Sequence, residues 1–272
     1  KLLSYDEKTK AQGLYNIYVE KIVASDMKAD ELKQIADTFY KEGNLTLAEG
    51  IYDAYIDSMV NAGPKERIAI DLFEIAKQFA IKEKAQSSSD AFYAEKVFKR
   101  IEAVGKKEAL NEDMLYMRAF NMEKAKDWTK AKELYLELIQ RFPQNGHFDE
   151  ATFKVAMIYT YILGELKSGE PYFEKLSQKE ALSSQGISSL YQLGLLSQWE
   201  DDTDKAKEYY NKLVEKAKDG VQDTVLLAQA RLKEIEELKP IEYNLKTFLD
   251  ISLKENKDKI DMSKSTLDSS VY

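Results

Sequence analysis

A small residue followed four positions later by an aromatic recurs along this chain at a nearly constant interval. The pairs are Ala11/Tyr15, Ala48/Tyr52, Ala94/Phe98, Ala131/Tyr135, Ser168/Tyr172 and Ala206/Tyr210. Successive small residues stand 37, 46, 37, 37 and 38 positions apart. A period in this range marks stacked repeats, because a unit of that length cannot bury its own apolar face and must lean on its neighbours. The long interval exceeds the period by nine residues, and the polar, serine-rich stretch Glu83–Phe92 reads as a loop insertion that absorbs them.

A second pattern, apolar-x2-apolar-small-x2-apolar, precedes the pairs. It is complete at Leu32/Ile35/Ala36/Phe39 and at Leu72/Ile75/Ala76/Phe79, and it begins again at Leu190/Leu193/Gly194. It survives in part at Leu115/Ala119/Met122, where Arg118 intrudes, and at Val155/Ala156/Tyr159, where Thr152 takes the first position. These spacings lay one stripe along a helix. Each unit therefore reads as helix A, a short turn and helix B. The small residue of B meets the small residue of A, and the aromatic fills the space beside them. The turns Lys41–Asn44, Lys124–Trp128, Leu163–Glu170 and Glu200–Asp204 each hold Gly, Asn, Asp or Ser near the next helix start, where such residues cap free N–H groups. Pro171 suits the first turn of a B helix starting there, and Pro143 closes a helix.

Composition narrows the function. A net charge of −8 over 272 residues disfavours a nucleic-acid binder, which needs a concentrated basic face. The absence of cysteine removes disulfides, thiol catalysis and thiolate-held metals. No apolar run approaches the roughly 18 residues of a membrane span. The chain opens at Lys1, which leaves room for a processed leader or a lipid anchor upstream. The single histidine, His147, falls in an inter-repeat loop without a second His or a Cys to share a metal. Glu200–Asp204 is acidic but lacks the calcium-loop spacing, so a helix-capping turn is the better reading. Phosphate-loop, nucleophile-elbow and zincin motifs are absent. The expectation is no enzyme, no cofactor and no metal.

The A and B patterns together resemble the tetratricopeptide repeat, with its W-x2-L-G-x2-Y, A-x3-F and closing Pro. LYQLGLLSQ with DKAKEYYNKL (Leu190–Leu213) and TKAKELYLELIQRFP (Thr129–Pro143) carry the likeness best, and it extends over about Ala11 to Lys239. The 37-residue period and the link Arg141–Tyr159 are similar to longer-period repeats of bacterial envelope proteins, such as the periplasmic partner of the Tol–Pal system and the lipoprotein of the outer-membrane barrel-assembly machinery. The resemblance implies an all-α, right-handed superhelical solenoid of about twelve helices over residues 1–240. A lone B-type helix (about Asp6–Ala24) and a lone A-type helix (about Val221–Leu238) frame five complete pairs. Residues 241–272 form an extension whose Ile241/Tyr243/Leu245 alternation reads as a strand, followed by a polar, serine-rich tail.

In this family the A helices line a concave surface that binds a protein or peptide. Carried onto this sequence, the lining positions are Phe73, Tyr116, Phe120, Phe153, Met157, Tyr161, Tyr191, Leu195 and Trp199, with the polar Lys33, Asp37 and Lys77 at the N-terminal end. Three readings of those rings stay open: an exposed partner groove, ordinary packing between A helices, or a groove covered by the segment after Pro240. The implied function is a non-catalytic scaffold or adaptor in a complex at the bacterial periplasm or outer-membrane periphery, or otherwise in the cytoplasm. Self-association, or service as a helper domain of a larger secretion or enzyme assembly, are the alternatives.

Overall fold

The computed structural model of the protein describes residues 5–24, 28–60, 65–80, 88–105, 107–144, 146–217 and 221–254. Among them the chain is all-α, with thirteen α-helices, one 3-10 segment (Lys107–Ala109), one π-segment (Ile158–Ile162) and no strand. It divides into two compact units, Lys1–Asn121 and Met122–Tyr272.

The first unit holds α1 (Tyr5–Val23), α2 (Ala29–Lys41), α3 (Leu45–Val60), α4 (Lys65–Ala80), α5 (Ser88–Gly105) and most of α6 (Glu112–Lys124). Helices pair as α2 with α3 and α4 with α5. Leu72, Ile75, Ala76 and Phe79 are all buried along α4, as are Ala94, Val97, Phe98 and Ile101 along α5. Phe79 gathers the rings of Tyr40, Tyr52 and Tyr93 at 4.9, 5.9 and 4.6 Å between centroids. Fully burying each such side chain contributes roughly 1.5–3 kcal/mol, provided its hydroxyl finds a partner. Each does: Tyr52 donates to Asp37, with the Gln78 side-chain amide 2.9 Å from the same hydroxyl, Tyr93 donates to the Glu49 carbonyl (3.1 Å) and Tyr40 to the Gln78 carbonyl. The arginine that interrupts the α6 stripe is itself buried. Arg118 grips Glu95 with Nε and Nη2 (2.8 and 2.7 Å) and Glu102 with Nη1 (2.8 Å), so ion pairs join α5 to α6 where a repeat would place an apolar contact.

The second unit holds α7 (Trp128–Arg141), α8 (Phe148–Met157) continued by the π-segment, α9 (Leu166–Ser177), α10 (Ser184–Trp199), α11 (Thr203–Lys216), α12 (Gln222–Glu236) and α13 (Tyr243–Lys254). Here the small residues do what the pattern implied. A methyl group on Gly194 of α10 would stand 2.6 Å from the ring of Tyr210 on α11. One on Gly169 of α9 would overlap Thr160 Oγ1 and stand 2.9 Å from the Ala156 carbonyl.

A common device follows five of the A helices among the described residues. Gly43, Lys126, Gly164 and Asp201 adopt positive φ (79, 62, 68 and 64°), as does Leu238 after α12 (53°). At four of these turns the next amide bonds back five residues: Asn44 to Phe39, Asp127 to Met122, Asp202 to Ser197 and Lys239 to Glu234, at 2.8–2.9 Å. That is the left-handed helix stop. After Lys126 and Asp201, the following aspartates cap the next helix, Asp127 accepting from Lys130 N (3.0 Å) and Asp202 from Lys205 N (3.1 Å). The acidic turn Glu200–Asp204 thus serves as a cap.

Four expectations need correction. The helices number thirteen among the described residues, because the segment read as a strand is α13. Three alternating residues were too short a signal. Leu245, Leu249 and Leu253 at four-residue spacing define its packed face instead. The fifth pair sits one residue later than Ser168/Tyr172: Ser168 is exposed and Tyr172 half-buried, whereas Gly169 and Phe173 are buried. The small residue is then the fourth of α3, α7, α9 and α11 alike (Ala48, Ala131, Gly169, Ala206). Pro171 lies inside α9 rather than at its start, since the helix begins at Leu166. The serine-rich insertion is shorter than its composition suggested, with Ser88–Phe92 already in α5; residues 83–87 lie outside the described residues, as do residues 255–272 and the side chains of Ala11 and Tyr15.

Candidate protein-binding face

The inner-helix positions carried over from the family form no single kind of surface. In the first unit Phe73 is buried, its ring 6.3 Å from Phe98 with Lys77 Nζ 5.1 Å above it. Lys33 and Asp37 pair at 3.1 Å. Burial would raise the Asp37 carboxyl, but hydrogen bonds from Tyr52 and Lys33 outweigh it and hold it below the usual range. Tyr116 and Phe120 of α6 are half-buried and stack at 6.4 Å, interplanar angle 14°.

In the second unit Phe153 and Met157 pack with the core around Ala156, Phe173, Leu193 and Leu196. Phe153 meets Phe173 edge-on at 5.7 Å. Tyr161 also packs on this core and Tyr191 on the one around Tyr210, and both share a further cluster with Leu195 and Trp199. They form a shelf across the π-segment and α10, and α13 lies on it. Ile241 and Leu249 are buried against Leu195, with Leu245 and Leu253 beside them. The Phe248 ring sits 5.6 Å from Tyr161. Trp199 Nε1 donates to Asp250 Oδ1 at 2.9 Å. Of the three readings of these rings, the covering segment after Pro240 describes this shelf.

The shelf's polar groups are arranged to stay neutral. Burial pushes the Tyr161 phenol well up, and the neutral hydroxyl donates to Gln192 Oε1. Burial also raises Tyr191, against a smaller opposing pull from the Arg231 guanidinium. Arg231, itself buried on α12, bonds Glu234 at 3.0 Å and reaches Glu242, just before α13, at 3.6 Å. Tyr161 is carried by the π-segment, whose wider turn is seen in the bond from Leu163 N to the Ile158 carbonyl (2.9 Å); such segments concentrate at functional sites.

Gln192, Leu249 and Asp250 were not among the residues expected at the site, and Leu245 was read as part of a strand. The leucine spacing on α13 was the available signal, and it was masked by the shorter alternation before it. His147 lies just ahead of α8, its carbonyl accepting from Ala151 N at 2.8 Å. Its neighbours Gly146 and Phe148, but not His147 itself, line an open, polar cavity of about 530 Å³ with Pro143, Asp149, Lys179 and Ser183. No group of three or more metal-ligating side chains occurs among the described residues, and no described helix is long and apolar enough to cross a membrane.

Helix pairs stacked through small residues define a helical-repeat protein. The tetratricopeptide repeat family matches residues 113–145 and 188–219, which take in α6 from its second residue with α7, and most of α10 with α11. Over these two stretches the chain is similar to tetratricopeptide-repeat proteins. No curated protein matches the chain.

Proposed function

We propose that this protein is a non-catalytic scaffold that holds a protein partner on the aromatic inner faces of its A helices. The observation that carries the reading is the shelf of Tyr161, Tyr191, Leu195 and Trp199, which already holds an amphipathic helix. Aromatic side chains of this kind supply large, rigid contact area and dominate interface energies. The 37-residue period and the Arg141–Tyr159 link favour a place in a bacterial cell-envelope complex.

The test is site-specific photocrosslinking in the native host. Benzoylphenylalanine replaces Tyr191 or Trp199 on the A helix α10, or the exposed Glu133 and Glu208 on B helices. One protein should crosslink from the A-helix positions and not from the B-helix positions. Crosslinks confined to Glu133 and Glu208 would overturn the assignment. Osmotic-shock fractionation of the same cells tests the envelope placement, which fails if the chain stays with cytosolic markers.

A further inference from the structure

The helix on the shelf departs from the array it belongs to. Small residues 131, 169 and 206 put the next one near 243, and the left-handed turn at Leu238 comes 37 residues after the one at Asp201. A B helix is therefore due where α13 begins. Tyr243 stands in the alanine position, too large to nest against α12, and its side chain is exposed. α13 accordingly turns away from the B-helix place and lies back over the π-segment and α10.

Its seating is light. Leu249 and Ser252 are its buried residues among those described, while Tyr243, Phe248 and Ile251 are 80%, 50% and 44% exposed. Twelve residues are too few for a stable helix in isolation, so α13 is ordered by the shelf. The link to α12 passes through Leu238 in a left-handed conformation that leucine disfavours, followed by Pro240. Elements with few buried contacts open most readily.

We propose that the shelf is a receptor for an amphipathic helix of a protein partner, and that α13 is a resident competitor which that helix displaces. The partner helix presents aliphatic residues at the spacing of Leu245, Leu249 and Leu253 and a carboxylate at the place of Asp250, to accept from the Trp199 indole. A segment tethered by so short a link competes at an effective concentration on the order of millimolar. The shelf therefore binds partner helices weakly until α13 is released. This inference rests on the scaffold reading, but it fails separately: the shelf can bind a helix even if the cellular partner uses another face.

The test uses the full chain and a fluorescein-labelled peptide of residues 241–254, read by anisotropy. Leu249→Asp places a charge in the buried contact and vacates the shelf. Asp250→Lys removes the indole bond without touching the apolar contact, and serves if the first variant fails to fold by circular dichroism. The Leu249→Asp chain should bind the peptide at least about tenfold tighter than wild type, and Asp250→Lys should move the same way by a smaller factor. Adding Trp199→Ala to either should lose about tenfold. A folded Leu249→Asp or Asp250→Lys chain that binds no better than wild type overturns the proposal. So does a concentration-dependent wild-type dimer that Leu249→Asp abolishes, because the occupant would then be a second copy of this chain.

Discussion

Arg118 offers the sharpest test of how the first unit is held together. It sits in the α6 stripe where the repeat pattern calls for an apolar residue, and its side chain is 3% exposed. Its partner Glu95 is 10% exposed and Glu102 24%, so the guanidinium and one carboxylate are withdrawn from water together. Burial by itself lowers the Arg118 pKa, but the hydrogen bonds it donates to Glu95 and Glu102 win and the group is held firmly charged. Replacing it by methionine removes three short bonds and leaves the Glu95 carboxylate buried without a counter-charge. Breaking such a pair from one side costs about 3–5 kcal/mol. Adding Glu95→Gln removes the stranded charge and should restore about 2 kcal/mol or more, since a neutral amide is far less costly to bury than an ion. The assay is urea unfolding of Arg118→Met, Glu95→Gln and the double variant by far-UV circular dichroism, with hydrogen exchange of α5 and α6 amides to locate the loss. The coupling between the two changes should exceed about 1 kcal/mol. A single-variant cost below about 1 kcal/mol, or strict additivity, would refute the argument that α5 and α6 are joined by a desolvated charge pair.

Two further outcomes bear on packing and charge. Gly194→Ala gains about 1 kcal/mol of helix propensity but drives a methyl into the buried Tyr210 ring, where overpacking costs about 1–3 kcal/mol, so thermal unfolding should show a net loss. Gly13→Ala in α1, whose methyl would meet nothing within 4 Å, should instead show a gain; matching signs for the two would undo the close-packing argument. Asp37 has a depressed folded pKa, so its contribution is present above the unfolded value near 3.8 and is lost as pH falls through the folded one. Asp37→Asn should therefore cost about 0.5–1 kcal/mol at neutral pH, discounted for partial exposure, with the difference from wild type shrinking only as pH falls below the unfolded value near 3.8. A gap that already closes well above that value, or that widens below it, contradicts that sign.

Much of the fold was legible because packing repeats. Ala48, Ala94, Ala131 and Ala206 are fully buried with their aromatic partners Tyr52, Phe98, Tyr135 and Tyr210. The slip at Ser168/Tyr172 has a simple cause: Gly169/Phe173 satisfies the same spacing one position on, and sequence cannot tell which of two adjacent pairs points inward. Burial and the approach to Thr160 decide it. The inner face was harder to read. Periodicity placed Phe153, Tyr161 and Trp199 on A helices, but whether a ring faces core, solvent or a returning segment depends on contacts distant in sequence. Trp199 meets Asp250 across 51 positions, and nothing local to either residue encodes that bond. Arg118 was visible as an interruption, yet its meaning lay in Glu95, on the preceding helix.

The indole bond to Asp250 has an optical side. The chain contains two tryptophans, Trp128 and Trp199, and both fall in the second unit. Trp199 has its N–H tied to a carboxylate and its ring half-covered by α13. A helix that leaves the shelf carries that carboxylate and that cover away, exposing the indole to water and shifting its emission to the red. With Trp128 replaced by phenylalanine, the protein becomes its own dye for occupancy of the shelf, and the light it emits reports which helix is in place.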